Sequence, residues 1–265
     1  MNRARTLHRP PWFVVACAGL AIALFAIPLL ALVWRAPWSD VGSILGEPGA
    51  RDALRLSLLT SIAATAIAFV LGVPLAWVQA RFEYPGRSVV RALVLLPLVV
   101  PPVVGGIALL LALGRRGIVG QYLDDAGVHL PFHVPGAILA ETFVAMPFLV
   151  LTVEAAFRSS DRALEEAART LGASRWTVFR RVTLPLVRPA LIAGVVLCWA
   201  RALGEFGATI TFAGNLQGKT QTLPLFVYIT QERGDLDAAI VLSLVLVAVS
   251  FAVIVALRDR WTAAL

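Results

Sequence analysis

Two charged residues stand inside an otherwise apolar stretch. Arg201 and Glu205 lie one helical turn apart in a segment built mainly from Leu, Val, Ala and Gly. A charge at membrane depth is costly and marks function by default. Two readings are open at this level: the pair neutralises itself in a bundle interior, or Arg201 lends positive potential to the path of an anion. His129 and His133 are four residues apart, a metal-ligand spacing on a helix. Pro131 lies between them and Pro135 follows, so no helix is expected there, and no third ligand is evident. They are read as solvated loop residues, and neither a metal site nor a cofactor is expected. The stretch from Ala213 to Thr220 nearly matches a phosphate-binding loop, but Ala213 occupies the position where that pattern needs glycine. It also lacks a preceding strand, so nucleotide binding by this chain is not expected. No nucleophile, base and orienting group fall together in one loop, and the chain is read as not an enzyme. Cys17 and Cys198 sit in apolar runs and are read as small buried hydrophobes.

The elements that must position these residues are set by composition. Of the 265 residues, 59% are hydrophobic and 15% charged, with mean hydropathy +0.83. A soluble domain carries roughly a quarter charged residues. The formal charge is +7, but most of the basic residues cluster between apolar runs, which points to a topology signal and away from nucleic acid. Runs of about 20 apolar residues suffice to cross a bilayer. They occur at 12–34, 57–80, 92–114, 134–154, 189–208 and 238–257. The expected fold is therefore an all-α membrane protein, one domain over 1–265 with six transmembrane helices. An even number of crossings leaves both termini on one side. Arg3, Arg5 and Arg9, then Arg81, Arg87 and Arg91, then Arg158, Arg162, Arg169, Arg175, Arg180, Arg181 and Arg188, and finally Arg258 and Arg260 share that side. They make up fifteen of the 23 Lys and Arg residues, so the positive-inside rule puts both termini in the cytoplasm.

Two of these segments look broken. Pro97, Pro101, Pro102, Gly105 and Gly106 fall in 92–114, and Pro147 falls in 134–154. Proline removes a backbone donor, which in a membrane is tolerated only inside protein or against a water-filled cavity. An ordinary kinked bundle helix and a pore-lining element both fit. Ala200, Gly204 and Ala208, four apart, allow close helix packing along the fifth segment, against a neighbouring helix or a second subunit.

The connection 159–188 is too polar to insert. Ser160 or Asp161 caps a helix on which Leu164, Ala167, Ala168 and Leu171 repeat at i, i+3, i+4 and i+7. Arg162, Glu165, Glu166 and Arg169 are expected on the opposite side, with i, i+4 pairing of Arg162 to Glu166 and of Glu165 to Arg169. Gly172 stops this helix, where the tight turn calls for positive φ. Ser174 caps a second helix reaching Arg181, and Pro185 ends it. Such a pair either lies on the lipid surface or docks an exposed ridge into a groove of a partner. Periodicity alone does not choose.

A resemblance does choose. Glu166-Ala167-Ala168, Gly172, Val182 and Leu184-Pro185, at their spacings, resemble the cytoplasmic loop motif of bacterial binding-protein-dependent ABC importer permeases, with Val182 where the family pattern has Ile. Arg201 to Thr209, Ala213-Gly214-Asn215 and Thr220 to Pro224 are similar to the molybdate permeases, as are Gly114 to Gly117 and the Leu96–Pro102 run. The resemblance covers about residues 50 to 258, and sulfate/thiosulfate and tungstate permeases share much of it. It implies a type I importer bundle in a bacterial cell membrane, with Glu165, Glu166, Ala167, Ala168, Gly172, Leu184 and Pro185 in the loop that couples to an ATPase. It also implies two copies of that ATPase subunit, an extracytoplasmic substrate-binding protein, a homodimer of this chain, and an oxyanion, molybdate first, as cargo. The reading from another class is an ATP-independent channel or carrier.

Overall fold

The structure, a computed structural model, describes residues 11–261. Arg3, Arg5, Arg9 and the terminal Leu265, on which the expected orientation of the termini depends, lie outside the described residues, as do the side chains of Arg258 and Arg260. The described secondary structure is helical throughout. In hydrocarbon each backbone N–H and C=O must be satisfied inside the protein, and a helix does this within its own segment.

Helix α1 spans Trp12–Trp34 and buries none of its residues. A short α2, Val41–Gly46, leads into α3, Pro48–Arg81, which at 34 residues is about 50 Å long. Pro48 sits in the first turn, where no N–H is needed, while Pro74 lies inside the helix. Ala53, Ser57, Thr60, Ala64, Ala68, Gly72 and Ala76 recur every three or four residues along its buried face. Small residues let backbones approach closely. That face meets α7, Val134–Ser159, where a Cβ on Gly72 would stand 3.1 Å from Val150 Cγ2. Leu149, Val150, Val153 and Phe157 of α7 join Ala64, Ala68 and Ala76 in the main core. Leu59, Ile62, Phe69 and Val70, on the other side of α3, are exposed and suit lipid.

Between them the segment 92–114 is split. Helix α4, Arg87–Val99, and α5, Pro102–Leu113, are separated by Val100 and Pro101 in extended conformation. Pro102 disfavours helical geometry at Pro101 and thereby forces the break. After α6, Gly120–Asp125, and α7 come α8, Arg162–Thr170, α9, Arg175–Val178, a π-helical stretch Phe179–Thr183, and α10, Leu184–Leu186. Helix α11, Arg188–Leu203, bends by 70° from the preceding Arg175–Leu186 unit. Helices α12, Gly207–Phe212, α13, Leu223–Glu232, and α14, Leu236–Trp261, complete the described chain.

Among the described residues four helices are long and apolar enough to cross a membrane: α1, α3, α7 and the Leu236–Val253 part of α14. The bent pair ending in α11 makes a fifth, so by this measure the expected six is not reached. The shortfall lies in 92–114, where the prolines leave two pieces of 13 and 12 residues. The fifth segment is also interrupted. Helix α11 stops at Leu203, with Gly204 exposed as its cap, so Ala200, Gly204 and Ala208 form no continuous packing stripe.

The two interruptions meet. A Cβ on Gly207 would stand 3.0 Å from Pro102 Cβ, and one on Gly106 would stand 2.9 Å from the Ala208 carbonyl oxygen. The close approach expected of Gly204 belongs to Gly106 and Gly207. The core against α7 here is Ala140, Val144, Ala208 and Phe212.

Candidate functional site: docking loop and intramembrane polar cluster

Helix α8 is capped at both ends by its own sequence. Asp161 accepts a hydrogen bond from the Ala163 N–H at 2.9 Å. At the other end Gly172 has φ +84°. Its N–H donates to Arg169 O at 2.9 Å, and the Ala173 N–H donates to Ala168 O at 3.1 Å. This pairing of two turn donors with the last carbonyls is a Schellman cap, and it needs the left-handed backbone that glycine adopts freely. Ser174 then accepts from the Thr177 N–H at 3.2 Å and starts α9. The turn between the two short helices therefore has the form expected from Gly172 and Ser174.

The faces are arranged differently from the expectation. Leu164 is 48% and Leu171 89% exposed, with Ala167 and Glu166 also exposed and Ala168 half-buried. The apolar ridge points out, together with Trp176. Glu165, placed by periodicity among the exposed charges, points in and is buried. The cause is Arg81 at the end of α3, whose Nη2 lies 2.6 Å from Glu165 Oε1. Thr183 donates to the same oxygen at 3.0 Å. Glu165 thus pairs across 84 residues rather than with Arg169, and the Arg162–Glu166 pair is also not among the ion pairs of the described residues. Leu184 packs against the main core, while Pro185 is exposed. Pro185 does not end the second helix, which runs on to Leu186 before the bend at Val187. Lacking an N–H and crowding the preceding turn, Pro185 follows a π-helical widening of the chain.

Within the membrane-spanning part, Arg201 Nη1 lies 2.5 Å from Glu205 Oε2. Glu205 is 1% exposed, and its Oε1 accepts from the Ala208 N–H at 2.8 Å. One carboxylate therefore both neutralises Arg201 and caps α12 across the break at 204–206. A third ionisable group, Glu141 of α7, is equally buried. Thr60 of α3 donates to its Oε1 at 2.7 Å, and its chain neighbour Ala140 shares a core with Ala208, three residues beyond Glu205. Thr209 Oγ1 and Trp199 Nε1 are buried without partners in the same region of the chain. The sequence pointed to Arg201 and Glu205 by the same sign that Glu141 carries, for Glu141 interrupts the otherwise uncharged run 134–153.

The remaining candidates stay apart from both sites. His129 pairs with Asp124, and His133 contacts Pro131 O beside the start of α7. Among the described residues no three His, Cys, Asp or Glu side chains gather. Thr220 of the near phosphate loop accepts from the Leu216 N–H at 3.0 Å and closes its own turn. Cys198 is buried in the main core, whereas Cys17, expected buried, is exposed on α1.

Residues 72–265 match the family described as binding-protein-dependent transport system inner membrane component. The chain is 48% identical over 254 residues to the molybdenum transport system permease protein ModB of Mycobacterium tuberculosis, covering 95% of this chain and 94% of the relative. It is 35% identical over 256 residues to the sulfate transport system permease protein CysW of Escherichia coli, covering 94% and 88%. Among solved structures, a bacterial ABC transporter involved in the import of the acidic polysaccharide alginate superposes with TM-score 0.76 at 21% identity, covering 95% of each chain. That last likeness establishes the fold alone.

Proposed function

Because the chain belongs to the family of inner membrane components of binding-protein-dependent transport systems, as multi-pass transport subunits rather than enzymes, we propose that it is the permease subunit of an ATP-driven importer of molybdate. The observation that carries the choice of cargo is the 48% identity, over nearly the whole length of both chains, to a molybdenum permease. The sulfate permease is the competing reading, at 35%.

In this reading two copies of the chain enclose one pathway, with both termini in the cytoplasm. A substrate-binding protein delivers the oxyanion from outside. Two copies of a separate ATPase subunit sit below, each against an α8–α9 loop. The exposed ridge of Leu164, Ala167 and Leu171, with Glu166 beside it, is the docking surface. Three apolar side chains standing in water beside charged neighbours fit a groove on a partner protein. Ala168, Gly172, Leu184 and Pro185 shape that surface, and Glu165 anchors it. Closure of the ATPases on ATP shifts the loop, and the bundle exchanges inward for outward access. This is a population shift between two states that both ATP and the loaded binding protein bias.

Arg201 and Glu205 lie where α11 and α12 part, beside the break between α4 and α5. Broken helices at membrane depth are tolerated inside protein or along a wet path. In this reading Arg201, still 27% exposed, faces the pathway and offers positive potential to a passing oxyanion, while Glu205 fixes its position. The test is uptake by the chain reconstituted with its ATPase and binding protein. The proposal expects ATP-dependent uptake of molybdate that unlabelled molybdate suppresses at lower concentration than sulfate does. Preferential suppression by sulfate would move the assignment to sulfate.

A further inference from the structure

Helix α8 has one buried residue, and it is a carboxylate. Glu165 Oε1 receives Arg81 Nη2 at 2.6 Å and the Thr183 hydroxyl at 3.0 Å. The same Arg81 nitrogen donates to Ser160 Oγ at 2.7 Å. One guanidinium nitrogen therefore joins the end of α3 to the cap of α7 and to α8, and Thr183 adds the π-helical stretch. A second link between α3 and the loop is aromatic. The Trp77 ring meets Phe179 at 5.2 Å between centroids, with Trp176 stacked on Phe179 at 5.8 Å. Two cavities of about 230 and 200 Å³, both bordered by Trp77, Phe82, Glu165 and Arg169, flank the ion pair. Packing alone thus leaves α8 loosely seated.

Arg81 ends a helix that reaches far into the bundle. Above it α3 interlocks with α7 through Ala76, Gly72, Ala68 and Ala64, and at Thr60 it holds the buried Glu141. A push on α8 that is transmitted through the ion pair moves α3 at its end. Without the pair the push is absorbed by the two cavities. We propose that Arg81 and Glu165 are positioning residues that pin the docking loop to α3, so that displacement of α8 reaches the intramembrane polar cluster. This rests on the permease reading, and it separates the anchor of the loop from its docking surface.

The experiment uses the complete transporter, chain with ATPase and binding protein, in vesicles. It reads the number of molybdate ions taken up per ATP hydrolysed, alongside ATPase co-purification. Glu165→Gln keeps the shape of the side chain and removes its charge, and Arg81→Gln removes the partner. The pin predicts that both variants keep the ATPase and continue to hydrolyse ATP, with uptake per ATP lower by about tenfold, the scale of a typical coupling between sites. It also predicts that the exchange Arg81→Glu with Glu165→Arg recovers part of the ratio. A native uptake-to-hydrolysis ratio in Glu165→Gln overturns the inference. So does loss of the ATPase from either variant, since docking is assigned to the exposed ridge. A native complex with no ATP-dependent uptake removes the permease reading, and the pin with it. Native transport with an unaltered ratio in the variants removes the pin alone.

Discussion

Gly172 has φ +84° with no side chain near the position a Cβ would take, so its requirement is conformational and not steric. An L-residue forced into this region costs roughly 1–2 kcal/mol, and a β-branched one more. Gly172→Val is expected to lose more than about nine-tenths of ATPase co-purification by misaligning α8 and α9, a penalty of about 1.4 kcal/mol being a tenfold change. Gly172→Ala is expected to keep a measurable fraction. Membrane insertion of both should be native, which fractionation checks. Full association of the ATPase with Gly172→Val would remove the docking role of this loop. The Arg201–Glu205 pair makes a second prediction. Replacing either residue with Ala strands the other charge at depth, so a double-mutant cycle on thermal stability in detergent should show coupling on the order of 1–3 kcal/mol. Strict additivity would show that the two do not act as a pair. That pair was legible because its members are one turn apart. Arg81–Glu165 and Thr60–Glu141 were not, since their partners are 84 and 81 residues away and no local period reports them. Helical periodicity assigned Glu165 to the exposed face because it counts only residues on the same helix.

At the scale of elements, the described residues are helical, as apolar chain in lipid requires, but only four of the six apolar runs are continuous helices. Helix α1 was expected at 12–34 and runs Trp12–Trp34. The break in 92–114 was legible from its prolines, but the one at Gly204–Phe206 was not, and Pro147, read as a second break, leaves α7 continuous. Pro101-Pro102 and the Gly204–Phe206 gap lie about 100 residues apart in sequence, and only folding brings them together. This crossing makes its own prediction. A side chain at Gly106 meets the Ala208 carbonyl and Thr211, and backbone cannot give way as a flexible side chain does. Gly106→Val is expected to destabilise the bundle by about 1–3 kcal/mol, as overpacking generally does, visible as a lower unfolding temperature in detergent. Gly19→Val, on the exposed α1 with open space around it, is the control and should leave that temperature unchanged. Equal temperatures for the two variants would show that the breaks do not pack as described.

For the whole molecule, composition alone placed the chain in a membrane, and family membership now makes it a transport subunit. Helix α1 buries nothing within the chain, and the exposed ridge of α8 and α9 covers nothing, so the molecule as it stands presents surfaces suited to lipid and to partners. Neither surface could be read from the sequence as exposed, because an amphipathic period states which residues share a face and not which way that face turns. The basic residues predict the orientation. A reporter fused after Leu265 should be active only if it is one that works in the cytoplasm, and activity of a periplasm-only reporter there would invert the topology.

The central claim is that this chain moves an oxyanion only when a separate ATPase drives it. The direct measurement is uptake of labelled molybdate into vesicles containing the chain alone, and into vesicles containing the chain with its ATPase and loaded binding protein, each with and without ATP. The account predicts uptake in one condition, the full complex with ATP, and background in the others. Uptake by the chain alone, independent of ATP, would contradict it and make the protein a channel or carrier.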